Sequence, residues 1–461
     1  MTDFLAYRST AGRAVIAAAV LGSGMTLLDG TVVNVALKTI GRDLDASLAE
    51  LQWITNGYLL SLASLILLGG SLGDRYGRKR VFVIGVVWFA LASLLCGLAA
   101  TPLMLILARI LQGVGGALVT PGSLSMIQGA FGPRDRATAI GAWSGLGGVA
   151  AAIGPFVGGV LIDYASWRWI FLINLPLAVA TVVVAHRWVP ETRDEESVGR
   201  YDVPGATLAA VALAGVTYAL IEWGTTLALL AAVVGALACV AFLVVERRTP
   251  HPMVPLVLFS SRTFSAANAM TLLVYAALGA VSFFVVLQLQ TVSGFSALLA
   301  GVAMLPITLS MLFLAARGGR LAVRIGPRLP MTVGPCIVAA GALLLLRIGP
   351  DAGYWLDVFP GVTLVGLGLA VLVAPLTATV LAAAPDHNAG IASGINNAVA
   401  RAGSLLAIAA LPVAVGLSGV DYDVPAVFDE AFGRAMVSCA ALLVAGGVLS
   451  WFTIRNPLAE S

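Results

Sequence analysis

Asp29 and Arg109 are opposite charges set inside long apolar stretches of the chain. An ionised side chain there costs about 2.5–3.5 kcal/mol on insertion scales and by default marks a functional site. Counted along its own stretch as a helix rising about 1.5 Å per residue, Asp29 lies about 22 Å from the inner end. The stretch holding Arg109 runs the opposite way, which puts Arg109 about 20 Å from the same face of an apolar layer about 30 Å thick. Equal depth permits an ion pair. A carboxylate paired with a guanidinium in low dielectric suits proton coupling, because protonating the acid frees the base. The same residues could also form a static structural pair, or Asp29 could face outer water. Gln112 follows Arg109 by about one helical turn and shares its face.

A second constellation is Gly73-Asp-Arg-Tyr-Gly-Arg-Lys-Arg80, which includes Asp74, Arg75, Gly77 and Arg78. Basic clusters of this kind anchor loops on the cytoplasmic side of a membrane. Asp74 adds nothing to such retention, but an acid can bond a helix N-terminus or a nearby arginine. A gating latch at the cytoplasmic helix ends is the sharper reading of this loop, and a plain topology signal is the simpler one. Small residues follow Arg109 as Gly113, Gly115, Gly116 and Ala117, and recur as Gly147, Gly154, Pro155, Gly158 and Gly159. Small-residue stripes let helix backbones approach closely. Any single glycine reads as ordinary packing, whereas the run around Pro155 suits a kinked seam that opens and reseals. Asn34, Gln52, Asn56, Asn268, Gln288, Gln290, Asn396, Asn397 and Arg401 are candidates for a substrate cavity, or for polar glue between helices.

These side chains need membrane helices to position them. The 461 residues are 59% hydrophobic and only 11% charged, with mean hydropathy +0.98, against about 25% charged in a soluble domain. That excludes a soluble protein, and a net charge of +3 gives no footprint for nucleic acid. Apolar runs near the length that spans a bilayer recur from end to end. They are read as fourteen transmembrane helices at about 14–37, 48–72, 81–99, 102–128, 137–161, 167–189, 203–222, 225–246, 264–290, 297–318, 330–349, 353–377, 388–416 and 434–454. Lys and Arg concentrate in alternate connections, which predicts both termini on the cytoplasmic side of a plasma membrane.

The fold class expected is therefore all-α and integral to the membrane. Residues 1–190 form an N-terminal six-helix bundle, 191–202 a cytoplasmic linker, 203–246 two inserted helices and 247–461 a C-terminal six-helix bundle. Gly70 to Arg80 is echoed by Gly319 to Arg328, and internal repeats are a mark of secondary transporters. The four cysteines lie far apart in apolar runs and read as buried free thiols, and His186, His251 and His387 read as loop residues at cytoplasmic ends. No metal and no cofactor is expected, the proton gradient being the driving force. The expected partners are protons, the lipid bilayer and a small lipophilic substrate, with the monomer as the working unit.

Several of these segments resemble the major facilitator superfamily, and within it the fourteen-helix drug:proton antiporters of the EmrB/QacA type. Leu28-Asp-Gly-Thr-Val-Val-Asn-Val-Ala-Leu37 is similar to that group's first-helix motif, and Gly70 to Arg80 to the superfamily's loop motif. Arg109-x-x-Gln112-Gly113-x-Gly115 and Gly154-Pro155-x-x-Gly158-Gly159 resemble the proton-coupling and antiporter motifs, and Trp167 to Pro176 the entry to the sixth helix. The resemblance covers the first half well and the second only by loop echo and helix count. It implies proton-driven export of amphipathic compounds, with coupling at Asp29 and Arg109, gating at Asp74, Arg75, Gly77 and Arg78, and an antiport seam at Gly154 and Pro155. The tenth run carries no acid, unlike some dication exporters, while Glu222 and Asp163 fall near outer helix ends. Neutral, zwitterionic or singly charged substrates are expected over dications. The alternatives are a uniporter or symporter for a small metabolite, and a membrane-embedded enzyme.

Overall fold

The computed structural model describes residues 4–193, 202–250, 252–385, 388–419 and 421–456. Most of the linker read at 191–202 lies outside the described residues, as do His251 and His387. Fourteen helices are long and apolar enough to cross a bilayer. They are α1 (Thr10–Leu44), α2 (Leu48–Tyr76), α3 (Arg78–Gly97), α4 (Pro102–Ala130), α5 (Arg134–Tyr164), α6 (Trp169–Trp188) and α7 (Val203–Ile221). The rest are α8 (Thr226–Arg248), α9 (Arg262–Thr291), α10 (Ala297–Ile325), α11 (Arg328–Arg347), α12 (Tyr354–Ala382), α13 (Ala389–Ala414) and α14 (Pro425–Thr453). In hydrocarbon each backbone polar group needs a partner within its own segment, which is why apolar runs of this length become helices.

Local signals set many of the helix starts. Ser47 and Glu50 form a capping box at α2, Thr101 caps α4 just before Pro102, and Ser261 and Ser296 cap α9 and α10. Helices run past the apolar cores that the sequence marks out. α14 starts at Pro425, not near 434, because proline suits the first turn and Glu430 pairs with Arg434 one turn on. The apolar count stopped short at the acids of that first stretch.

The two halves pair their helices in the same order. In the first, α2 and α3 pack on α4, and α1 packs on α5 and α6; in the second, α10 and α11 pack on α12, and α9 on α13 and α14. The loop echo has a matching geometry. Gly69 of α2 presses on the carbonyl of Ala117, and Gly318 of α10 on that of Ala370. Gly77 (φ 109°) and Gly326 (φ 82°) turn the chain where a side chain would be strained. Each turn is capped from beyond the sixth helix of its half. The Glu191 carboxylate accepts from Lys79 N (3.0 Å) and Arg80 N (3.1 Å), and Asn456 Oδ1 accepts from Arg328 N (3.1 Å). Glu191→Ala should cost about 1 kcal/mol, the worth of a helix cap, read as a melting temperature lowered by about one degree.

α7 and α8 pack on each other and touch the halves through α7, which leans on α2 and α13. Asp202 caps Gly205 N at 2.7 Å, and Glu246 accepts from Val254 N at 3.0 Å, fixing the pair to the segment that enters α9. Elsewhere α8 shows Leu229, Leu237 and Val240 on its surface, as α3 shows Leu91 and α10 Phe313. Such an apolar exterior has its solvent in lipid. The reading of all four cysteines as buried needs correction: Cys96 and Cys439 are buried, but Cys239 and Cys336 are exposed. In a bilayer an apolar position can face outward at no cost, so hydrophobicity alone does not report burial.

Leu5 and Tyr7 bond to Ala130 and Asp135 at the α4–α5 turn, and Asn456 bonds at the α10–α11 turn, so both chain ends share one face. A set of hydrogen bonds joins the two halves toward the opposite, far face. Lys38 Nζ donates to Gln290 O (2.6 Å), Gln290 Nε2 to Val35 O (2.9 Å) and Tyr422 Oη to Ala46 O (2.8 Å). Asp163 accepts from Ala297 N (3.2 Å) and Leu298 N (2.9 Å), closing α5 onto the start of α10. The molecule is thus sealed at the far face.

Candidate functional site

At the centre of the first half, Asp29 and Arg109 are each only 1% exposed. Arg109 Nη1 donates to Asp29 Oδ2 at 2.5 Å and to Gln112 Oε1 at 2.5 Å, while its Nε reaches Ile54 O at 3.1 Å. Gln112 Nε2 closes the ring by donating to Asp29 Oδ1 at 2.8 Å. The Tyr58 ring lies 4.3 Å from the guanidinium carbon, a cation–π contact strengthened by desolvation. Breaking such a buried pair from one side costs about 3–5 kcal/mol, so the charges hold α1, α2 and α4 together while both are ionised.

Two members of this cluster do not stand out in the sequence. Ser93 Oγ of α3 accepts from Gln112 Nε2 at 2.8 Å, and Asn174 Nδ2 of α6 reaches Asp29 Oδ1 at 3.4 Å and Ser93 Oγ at 3.3 Å. Asn174 sits where α6 is interrupted at Ile173, just before Pro176. The proline was the available signal, since it loosens the backbone at the level of the acid. Cys96 adds a weak contact to Gln112 Oε1 at 3.6 Å.

The glycines of α5 divide between two neighbours. A Cβ on Gly154 would meet Thr31 Oγ1 at 2.7 Å, and one on Gly158 would meet Val32 Cγ1 at 2.6 Å, both on α1. Gly159 instead abuts the backbone of Leu298, and Gly301 abuts the Pro155 carbonyl, so this side of α5 forms the seam with α10. In the loop, Asp74 Oδ1 accepts from Arg78 Nε at 2.8 Å, and Gly77 makes the turn. Arg78 N also donates to Thr192 O at 2.9 Å, which ties the loop to its own half. Arg75 is placed at the end of α2.

The cavity candidates separate in the same way. Asn396, Asn397 and Arg401 of α13 line a cavity of about 220 Å³ with Tyr275 of α9 and Thr377 of α12. Asn268 lies behind this wall and accepts from Asn396 Nδ2 at 3.2 Å. Asn34 is half-buried on α1, and Asn56 is buried with neither amide atom hydrogen-bonded. Gln52 and Gln288 hold backbone instead. Gln52 donates to Ile408 O (2.6 Å) and Ala409 O (3.1 Å) across the halves, and Gln288 to Ile348 O (2.8 Å) and Asp429 (2.5 Å) near the far face. A buried amide that finds carbonyls is satisfied there.

Residues 19–201 and 203–408 each match the family model described as Major Facilitator Superfamily. The chain belongs to the major facilitator superfamily. Among its relatives, the tetracenomycin C resistance and export protein of Streptomyces glaucescens is 37% identical over 86% of this chain and 74% of its own length. A methylenomycin A resistance protein of Bacillus subtilis is 36% identical over 95% of this chain and 94% of its own. Solved structures share the superfamily fold at low identity. A bacterial homologue of the lysosomal transporter Spinster, inward-facing and unoccupied, has TM-score 0.67 at 17% identity, covering 98% of each chain. The tetrameric transporter PepTSo2 has TM-score 0.70 at 12% identity, covering 98% of this chain and 99% of its own. This is a multi-pass membrane protein of a transporter superfamily.

Proposed function

We propose that this protein exports amphipathic, antibiotic-like compounds from the cytoplasm in exchange for protons, by alternating access between its two halves in the plasma membrane. The observation that carries the reading is the sealed Asp29–Arg109–Gln112 cluster, a carboxylate whose charge is cancelled by one guanidinium. Protonation of Asp29 would remove that cancellation and release Arg109 to other acceptors, changing how α1 and α4 sit on α2. The named export and resistance proteins among the relatives support the direction and substrate type. The Lys/Arg bias puts the face bearing both chain ends in the cytoplasm. With the far face sealed, the described state is closed to the outside, and the monomer holds both halves.

Among the described residues Asp74 bonds only within its own half, which leaves its latching role to the opposite state, when the cytoplasmic ends close. Asp74→Ala should therefore lower the turnover rate several-fold while substrate binding changes little. Unchanged turnover would reduce the loop to a topology signal.

Function itself is tested by expression in a pump-deficient bacterium against a panel of amphipathic antibiotics, together with transport by proteoliposomes under an imposed pH gradient. Raised resistance and gradient-driven substrate movement are expected. Movement that ignores the gradient would remove proton coupling from the account.

A further inference from the structure

Arg401 is the cation that the mechanism above does not use. It lies midway along α13, about 18 Å from the start of that helix at about 1.5 Å per residue, and it faces the cavity shared with Tyr275, Asn397 and Ser393. Intramembrane charges pair with one another, bond to backbone carbonyls or face a water-filled path. Among the described residues Arg401 makes no hydrogen bond and no ion pair, and no acid lines its cavity.

Four of the described acids are held elsewhere. Asp29 is held by Arg109, Asp163 caps the start of α10, Asp357 pairs with Arg347, and Asp429 is bonded by Gln288. Because Asp29 and Arg109 cancel, the centre of the molecule carries one net positive charge, and it sits on Arg401. The hydroxyls of Tyr58 and Tyr275 lie within its electrostatic reach. Around the guanidinium the cavity offers donors, from Asn397, Ser393 and Tyr275, beside the apolar walls of Val380 and Leu381.

We propose that Arg401 is the docking point for an acidic group, so that the exported compound is an organic anion: an apolar ring scaffold bearing a carboxylate, enolate or phenolate. The inference rests on the export reading and narrows its substrate class. A guanidinium presents a planar fork of donors that matches a carboxylate edge, and a half-buried cation repels a cationic drug from the same place. It goes beyond the charge limits read from the sequence, which excluded only dications.

The test uses the purified full chain and three fluorescent probes that share one ring system: dansylglycine (anion), dansylglycinamide (neutral) and dansyl-ethylenediamine (cation). Wild type should bind the anion at least about tenfold tighter than the other two, the scale of one charge-assisted hydrogen bond. Arg401→Gln should weaken anion binding by about 10- to 100-fold and leave the amide within twofold. Should Arg401→Gln fail to fold, Arg401→Lys asks the same question, with the charge kept and the fork lost. The anion should then weaken by a few-fold while the amide holds. Equal binding of the three probes, preference for the cation, no anion binding, or an anion affinity indifferent to position 401 would each overturn the proposal. Export in the resistance and proteoliposome assays would survive any of those results, whereas failure there would remove the export reading itself.

Discussion

Asp29→Asn is expected to reduce pH-gradient-driven transport to background while the purified protein stays folded. The substitution keeps the shape of the side chain and imitates its protonated form, a state that a proton-coupled cycle must visit and tolerate. Arg109 would still hold Ile54 O and Gln112 Oε1 and still lie against the Tyr58 ring. Arg109→Ala is the contrasting case. It strands a carboxylate in a dry site, for about 3–5 kcal/mol, and should lower the melting temperature far more than Asp29→Asn does. Gradient-driven transport in proteoliposomes beside thermal melts separates the two. If Asn at position 29 transported at the wild-type rate, coupling would lie elsewhere.

The second large effect is steric and depends on conformation. Gly159 meets the backbone of Leu298 across the seam between the halves, where they close at the far face. Gly159→Val would place a stiff β-branched side chain in that contact. Overpacking of about 1–3 kcal/mol would fall on the closed seam and be relieved when it opens. At about tenfold per 1.4 kcal/mol, that is a shift of about 5- to 150-fold toward the outward-open state. We expect slow transport, a folded protein, and faster labelling of Asn34→Cys by an impermeant thiol reagent from the far face. Gly158→Val, one residue earlier, would collide with Val32 inside the first half in every state. It should destabilise the protein without changing the accessibility ratio. Equal behaviour of the two variants would contradict the assignment of Gly159 to a moving seam.

Most of the architecture was legible because a bilayer reduces the problem to apolar length and charge bias. The depth arithmetic for Asp29 and Arg109 succeeded for the same reason: two straight helices of opposite direction share one rise per residue. Ser93 and Asn174 were not legible, since a lone serine or asparagine in an apolar run reads the same whether it bonds a neighbour's backbone or a coupling acid. Only the proline after Asn174 hinted at the break that aims it. The lengths of α1 and α14 were underestimated because charged turns continue a helix beyond the hydrocarbon, where hydropathy ceases to mark it. Cys239 and Cys336 reverse the burial expected of them, because lipid rewards the same residues as a core does. Glu191 lay in a charged stretch read as linker, and its bond to the turn after Gly77 needs the fold to bring the end of α6 back to α3.

The central claim is that protonation of Asp29 moves the two halves. Spin labels at Arg134→Cys and Arg324→Cys, exposed at the chain-end faces of the two halves, report that movement once Cys239 and Cys336 are replaced. Pulsed electron resonance distances taken across a pH series should shift between two populations in the otherwise native protein. With Asp29→Asn added, they should stay fixed at one of them at every pH. A variant whose distances follow pH as the parent's do would contradict the account.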